Sequence, residues 1–107
     1  MRLTVPVAKV VAALLADPDA ERYGLDLMKA TELPSGTLYP VLQRLQQAGW
    51  VAAHWEQIDP AAEGRPARRY YRLTPQGVTD GRHALAELHA ATQPNTEPGR
   101  GQARPAW

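Results

Sequence analysis

Residues 34–49, PSGTLYPVLQRLQQAG, constrain the fold more than any other part of this 107-residue chain. The large apolar residues in this stretch recur at helical spacing and form one stripe. They are Leu38, Val41, Leu42 and Leu45. The opposite face carries amide, hydroxyl and guanidinium groups and no carboxylate, which suits contact with DNA phosphates and base edges. By itself the pattern also fits an ordinary amphipathic core helix, so the flanking segments must decide between the two interpretations.

Pro40 lies inside this predicted helix, where a proline removes a backbone hydrogen bond and its ring clashes with the carbonyl four residues back. The residue four positions back is Gly36, and the site lies near the helix start, where some amide donors lack intrahelical partners. We therefore expect Pro40 to lie in the opening turns of the helix without breaking it.

Two further helices are predicted before this stretch. Thr4 can cap the first, with Pro6 in its first turn, and the helix stops before Asp17 and Pro18. The second helix, 23–31, is short and is followed by a tight connection with Leu33 as its apolar anchor. Its apolar residues available for burial are Leu25, Leu27 and Met28. Two helices separated by a few residues, the second polar on its outer face, form a helix-turn-helix.

A β-hairpin is predicted after the third helix, which ends at Gly49. Residues 50–58 are rich in aromatic and β-branched side chains and are typical of a strand, whereas 59–67 contain two prolines and a glycine and are typical of a loop. Residues 68–73, RRYYRL, alternate with period two and form the returning strand. A hairpin in this place is a wing.

The positive charge of the chain is concentrated on this predicted wing. The formal net charge is only +1, but residues 64–79 contain four arginines and no acidic residue, whereas residues 1–63 are mildly acidic. The four are Arg65, Arg68, Arg69 and Arg72. This distribution favours a local contact with a polyanion over a protein that coats nucleic acid. We expect Arg65 and Arg68 to reach DNA, and Arg69 and Arg72 partly to brace the strands or to pair with acidic residues.

The C-terminal part begins with Thr74 and Pro75, which predict the start of a fourth helix ending near Thr92. Its stripe of Val78, Leu85 and Leu88 is thin for a core face but could form a seam with another helix. Residues 93–107 are rich in proline, glycine and polar residues, and we expect disorder there. The predicted division is a DNA-binding domain over 1–74, a dimerisation helix over 75–92 and a tail.

Several function classes find no support in the sequence. Cysteine is absent, the spacing of His54, His83 and His89 gives no metal motif, and no catalytic triad or phosphate-cradling glycine loop is present. We therefore expect no cofactor, no metal and no enzymatic activity. Without a long apolar run or a signal-peptide pattern, we expect a cytoplasmic protein. Four aromatic residues could line a small-molecule pocket, but we favour hairpin and core packing for them. They are Trp50, Trp55, Tyr70 and Tyr71.

Three segments together resemble the PadR family of transcriptional regulators: 23–31, YGLDLMKAT; 33–51, with its GTLYP run; and 64–77, GRPARRYYRLTPQG. The resemblance spans roughly residues 5–90. It implies a mainly α winged helix-turn-helix fold with a small antiparallel β-hairpin (α+β) and a C-terminal dimerisation helix. It further implies a homodimer that binds an inverted-repeat operator in double-stranded DNA, most often to repress. The single C-terminal helix matches the short branch of the family, which argues against a sizeable effector pocket there and leaves a small-molecule effector unknown.

The resemblance also implies roles for particular residues. The third helix would enter the major groove, with recognition positions at Ser35, Thr37, Tyr39, Pro40 and Arg44. Gln43 has the chemistry to join them, and Arg65 and Arg68 match the wing. Dimerisation through the fourth helix and the partner's first helix is predicted to use Val7, Val11, Val78, Leu85 and Leu88. The alternative is a protein-interaction module that keeps the winged-helix fold but binds another regulatory protein instead of DNA.

Overall fold

Helices and a small sheet alternate along the chain in the computed structural model, which describes residues 1–92. In chain order the elements are α1 (Val5–Leu15), β1 (Arg22–Tyr23), α2 (Gly24–Thr31), α3 (Ser35–Gln47), β2 (Val51–Trp55), α4 (Pro60–Glu63), β3 (Arg69–Leu73) and α5 (Pro75–Thr92). The predicted tail, residues 93–107, lies outside the described residues.

The core forms where the apolar stripes of α1, α2 and α3 meet one face of the sheet. The hydroxyl of Thr4 caps α1 by accepting a hydrogen bond from the amide of Val7 at 3.4 Å, as the sequence predicted. Thirteen hydrophobic residues are buried in this core: Val7, Val10, Val11, Leu14, Leu27, Leu38, Val41, Leu42, Leu45, Trp50, Val51, Tyr71 and Leu73. The predicted stripe of α3 is thus confirmed as its buried face, which leaves its other face to solvent.

The sheet has three antiparallel strands in the order β1-β3-β2, one more than the predicted hairpin. Val51 pairs with Leu73 and Trp55 pairs with Arg69, so the alternation predicted for the returning strand is confirmed. The first strand was missed. Because β1 has only two residues, it has no periodicity of its own, and its strand conformation depends on pairing with Tyr70 and Tyr71.

Several predicted boundaries were wrong by a few residues. The second helix begins at Gly24, since Tyr23 belongs to β1, and β2 ends at Trp55, well before residue 58. The predicted loop contains a helical turn, α4, in which the Asp59 carboxylate accepts a hydrogen bond from the amide of Ala61. Leu25, expected to be available for burial, is 54% exposed, whereas Leu27 of the same helix is buried.

Helix α5 packs closely against the body formed by residues 1–74. Thr74 caps it by accepting a hydrogen bond from the amide of Gly77 at 2.9 Å, and its hydroxyl also donates to the carbonyl of Gly49 at 2.6 Å. A β-carbon at Gly77 would lie 2.0 Å from the carbonyl oxygen of Trp50, so the two backbones approach as only glycine permits. No helix within residues 1–92 is long and apolar enough to cross a membrane.

Candidate nucleic-acid interface

The outer face of α3 is an exposed polar surface. Pro40 lies within the continuous helix Ser35–Gln47, as predicted. Most residues predicted to recognise DNA lie on this face: Ser35, Tyr39, Pro40, Gln43 and Arg44 are exposed, and Thr37 is half-buried. Since α3 contains no acidic residue, nothing in the helix itself repels a phosphate.

Tyr39 connects α3 to the start of α2. A β-carbon placed on Gly24 would lie 2.0 Å from the Tyr39 hydroxyl oxygen, so the phenol ring lies directly over this glycine. The side chain is nevertheless 43% exposed. Tyr39 is therefore both a surface residue and part of the contact that sets the angle between the two helices.

Arg65, predicted to contact DNA, makes an ion pair within the wing. Its guanidinium donates to both carboxylate oxygens of Glu56, at 2.7 and 3.0 Å. The same carboxylate accepts hydrogen bonds from the Arg68 amide and the Tyr70 hydroxyl, each at 3.3 Å. Arg65, with smaller contributions from Arg68 and Tyr70, lowers the pKa of Glu56 to about 2. Glu56 thus remains ionised at neutral pH and fixes both ends of the loop between β2 and β3.

Arg68 and Arg69 have aromatic partners instead of carboxylates. The Arg68 guanidinium carbon lies 4.9 Å from the centre of the Tyr23 ring, and that of Arg69 lies 5.2 Å from Trp55. Cation–π contacts of this kind orient a guanidinium without neutralising its charge. Neither arginine has a carboxylate partner within residues 1–92. Arg69 contacts the neighbouring strand through Trp55 and is not paired with an acidic side chain among the residues that the structure describes.

These side chains border an open pocket of about 300 Å³ between α2, α3 and β3. Tyr23, Tyr39, Tyr71, Arg68 and Arg69 contribute to its wall, and no carboxylate does. Burial raises the pKa of Tyr71, whose hydroxyl therefore stays neutral, and Arg69 beside it lowers the pKa by a smaller amount. The pocket lies between the exposed face of α3 and the wing, and the charged side chains in its wall are Arg68 and Arg69.

The strand register divides the wing arginines between two faces of the sheet. Arg69 and Trp55 are paired and lie on the face that carries Tyr71 into the core, whereas Arg72 is exposed on the other face. Trp55 is 55% exposed, which sequence analysis missed, as it missed Tyr23 and Arg69 as site residues. The period-two alternation already placed Arg69 with Tyr71, and that signal could have identified it.

The remaining aromatic residues and the histidines have structural partners. Trp50 and Tyr71 are buried, which confirms core packing for these two. His54 stacks on Tyr70 at 5.9 Å and lies 3.1 Å from a carboxylate oxygen of Glu21. Within residues 1–92, no group of three metal-ligating side chains is placed to hold an ion.

The residues predicted for dimerisation fall into two groups. Val7 and Val11 are 0% exposed and belong to the core of the protomer, so their assignment to a dimer contact is corrected: in this conformation they offer no surface to a second copy. Val78 and Leu85 pack partly against the same core, whereas Leu88 lies further along α5 and is half-buried. Of the residues predicted for dimerisation, Leu88 is therefore the one that does not pack against the core.

The three-helix core, the three-stranded sheet and the exposed α3 define a winged helix-turn-helix protein. Residues 13–87 match the model of the transcriptional regulator PadR-like family. The chain belongs to this family, whose members are transcriptional regulators and not enzymes. It is 46% identical over 56 residues to the transcriptional regulator Rv3488 of Mycobacterium tuberculosis, a match covering 50% of this chain and 48% of that protein. The chain thus matches about half the length of this curated relative.

Solved structures share the fold. The smu.1704 protein of Streptococcus mutans is 25% identical with a TM-score of 0.64, covering 85% of this chain and 86% of that one. A PadR-like transcription factor from Bacteroides fragilis is 26% identical with a TM-score of 0.58, covering 79% and 77%. MepR of Staphylococcus aureus, solved with DNA, is 16% identical with a TM-score of 0.64, covering 85% and 68%. The MepR likeness shows the fold alone.

Proposed function

We propose that this protein is a sequence-specific DNA-binding transcriptional regulator that acts as a homodimeric repressor on an inverted-repeat operator. The observation that carries the proposal is the acid-free outer face of α3 beside Arg68 and Arg69, whose guanidinium groups have no carboxylate partner within residues 1–92. Membership of the PadR-like family supports the regulatory role. MepR, a protein of the same fold, has been solved in complex with DNA, which supports duplex DNA as the partner.

In this proposal, α3 lies in the major groove and reads base edges through exposed polar side chains. Gln43 and Arg44 have the donors and acceptors that base edges require, and Ser35, Thr37 and Tyr39 lie nearer the start of the helix, where phosphates are within reach. The wing contributes Arg68 directly. Arg65 contributes to binding indirectly, because its guanidinium is paired with Glu56 and this ion pair holds the wing loop in place.

The homodimer places two such surfaces on one duplex. In the proposed division of the chain, residues 1–74 form the DNA-binding unit and the second half of α5, including Leu88, meets a second copy. Symmetric dimers of helix-turn-helix proteins bind half-sites about one helical turn apart, which is the basis for expecting an inverted repeat. Bound there, a dimer would hinder transcription from an overlapping promoter.

A gel-shift assay with the DNA upstream of the protein's own coding region tests the proposal. Wild-type protein should shift this fragment in preference to a scrambled fragment of equal length, and the double variant Gln43→Ala/Arg44→Ala should lose the preference. The matched control is Arg72→Ala, which removes an exposed arginine that lies outside the pocket formed with Arg68 and Arg69, and it should bind as wild type does.

Two further measurements separate the parts of the proposal. Sedimentation should give a dimer for wild type and a shift towards monomer for Leu88→Asp. If wild type dimerises but prefers no promoter fragment over scrambled DNA, sequence-specific DNA binding is refuted, and the protein-interaction alternative becomes the better interpretation. A promoter-reporter strain in which deletion of the gene lowers expression would refute repression while leaving DNA binding intact.

A further inference from the structure

We infer that the pocket between α2, α3 and β3 is a binding site for one backbone phosphate of duplex DNA in each half-site, held by Arg68 and Arg69 with the hydroxyls of Tyr23 and Tyr39. The inference rests on the proposed DNA-binding function and deepens it. It adds Tyr23 and Arg69, which the sequence analysis missed or treated as bracing, to Arg68 and Tyr39, which it already assigned to DNA contact, and it names their common ligand.

The first argument is that some arginines of this region are paired with carboxylates, whereas the two arginines of the pocket are not. Arg65 is paired with Glu56, and Arg22 is paired with Asp26 while also donating to the carbonyl of Ala13 at 3.0 Å. Their charges are therefore compensated inside the protein. The two arginines of the pocket contact aromatic rings at 4.9 and 5.2 Å and keep their full positive charge. A pocket with two uncompensated guanidinium groups favours an anion.

The second argument is the chemistry of the remaining wall. Tyrosine hydroxyls can donate to phosphate oxygens, and a guanidinium whose flat face rests on a ring still presents its N–H edge for a bidentate contact. No carboxylate lines the pocket to oppose an anion. With a volume of about 300 Å³ and an open mouth, the pocket can admit a phosphate that stays attached to a strand.

The third argument is location. Tyr39 stands on the exposed face of α3, and Arg69 stands on the wing beside the exposed Trp55. A strand that passes from α3 to the wing therefore crosses the pocket. A phosphodiester is the anion that DNA offers at such a crossing, whereas free inorganic phosphate could satisfy the same donors, so the test must separate these two sources.

The test is a scan of the operator fragment with methylphosphonate linkages, each of which removes the charge of one phosphate. In wild type, one position per half-site should weaken binding about tenfold, as expected for the loss of a hydrogen-bonded charge contact. In the double variant Arg68→Ala/Arg69→Ala, a methylphosphonate at the same position should weaken DNA binding no further. The control Arg72→Ala should keep the full sensitivity, because its side chain does not line the pocket.

The salt dependence gives an independent readout. The double variant should show a shallower dependence of binding on salt, by about one phosphate contact for each half-site. If the double variant fails to fold, Tyr23→Phe/Tyr39→Phe keeps both rings and removes only the hydroxyls, and it should reduce the sensitivity at the same linkage. An unchanged linkage profile in the variants would overturn the inference while leaving DNA binding in place. If wild type binds no promoter fragment, the proposed function itself fails.

Inorganic phosphate is the probe that tests whether the pocket binds a free anion instead of the DNA backbone. When phosphate replaces chloride at constant ionic strength, it should displace DNA from wild type more than from Arg68→Ala/Arg69→Ala, because it competes for the same donors, while the methylphosphonate linkage stays coupled to the two arginines. If phosphate displaces DNA from wild type only and no linkage is coupled to the two arginines, the pocket is a site for a free anion, and the assignment to the DNA backbone is overturned.

Discussion

Gly36 offers a test in which stability and DNA binding should change in opposite directions. It is exposed at the second position of α3, and a β-carbon placed there would meet no other part of residues 1–92 within 4 Å. Glycine in a helix costs about 0.5–1 kcal/mol relative to alanine, because it loses more backbone freedom on folding. The Gly36→Ala variant should therefore have a higher free energy of unfolding by about that amount.

The same substitution should weaken DNA binding. A glycine that nothing in the protein requires, on the face proposed to enter the major groove, permits close approach of another molecule. Forcing a methyl group into a well-packed contact costs about 1–3 kcal/mol. We therefore expect the affinity of Gly36→Ala for the operator to fall by that amount in binding free energy, even though the protein itself is more stable.

Thermal unfolding and titration with operator DNA measure the two effects separately. For a domain of this size the stability gain corresponds to a rise in Tm of about 2–8 °C. A lower Tm would refute the geometry given for Gly36, and unchanged affinity would refute a close approach of DNA at this point. Gly77→Ala serves as the control, because its β-carbon would collide with the carbonyl oxygen of Trp50 and should lower Tm.

Three further predictions follow from the packing of the wing and of α5. Arg65→Ala and Glu56→Gln should weaken DNA binding in the same direction, since they break the same ion pair; if Arg65 itself contacted DNA, Glu56→Gln would free it and strengthen binding. Because the pKa of Glu56 is lowered to about 2, its ionised form stabilises the fold above pH 4.5, and wild type should lose stability relative to Glu56→Gln as the pH falls from about 4.5 to about 2 in acid-unfolding experiments. In chemical denaturation, Gly77→Ala should be destabilised by about 1–3 kcal/mol, because α5 must move away from the Trp50 carbonyl oxygen; a change below 0.5 kcal/mol would contradict the close approach.

Sequence patterns predicted the elements whose signals are local. The caps at Thr4 and Thr74, the stripe of α3 and the alternation of β3 all depend on residues within a turn or two of each other. The turn α4 was missed, although Asp59 and Pro60 repeat the cap-and-proline device of α1 and α5. The signal was present, but the flanking glycine and prolines were given more weight as loop residues.

Contacts between residues far apart in sequence could not be predicted in the same way. The pairing of Arg65 with Glu56 spans nine residues across a loop, and nothing in the local sequence distinguishes Arg65 from Arg68 as the one that is neutralised. The burial of Val7 and Val11 could likewise not be predicted from the local sequence. A valine stripe on a helix fits a core or a dimer seam equally well, and only the position of α5 against α1 decides between them.

The two-residue strand β1 links the halves of the proposed DNA-binding surface. Tyr23 pairs with Tyr70 of β3 and contacts the Arg68 guanidinium, and the next residue, Gly24, supports the ring of Tyr39 on α3. The position of α3 and the position of the wing are therefore set by one short backbone segment. A winged helix-turn-helix protein must present both elements to one duplex at a fixed spacing. The strand β1, which is too short to be predicted from sequence patterns, therefore determines whether α3 and the wing can contact the same duplex.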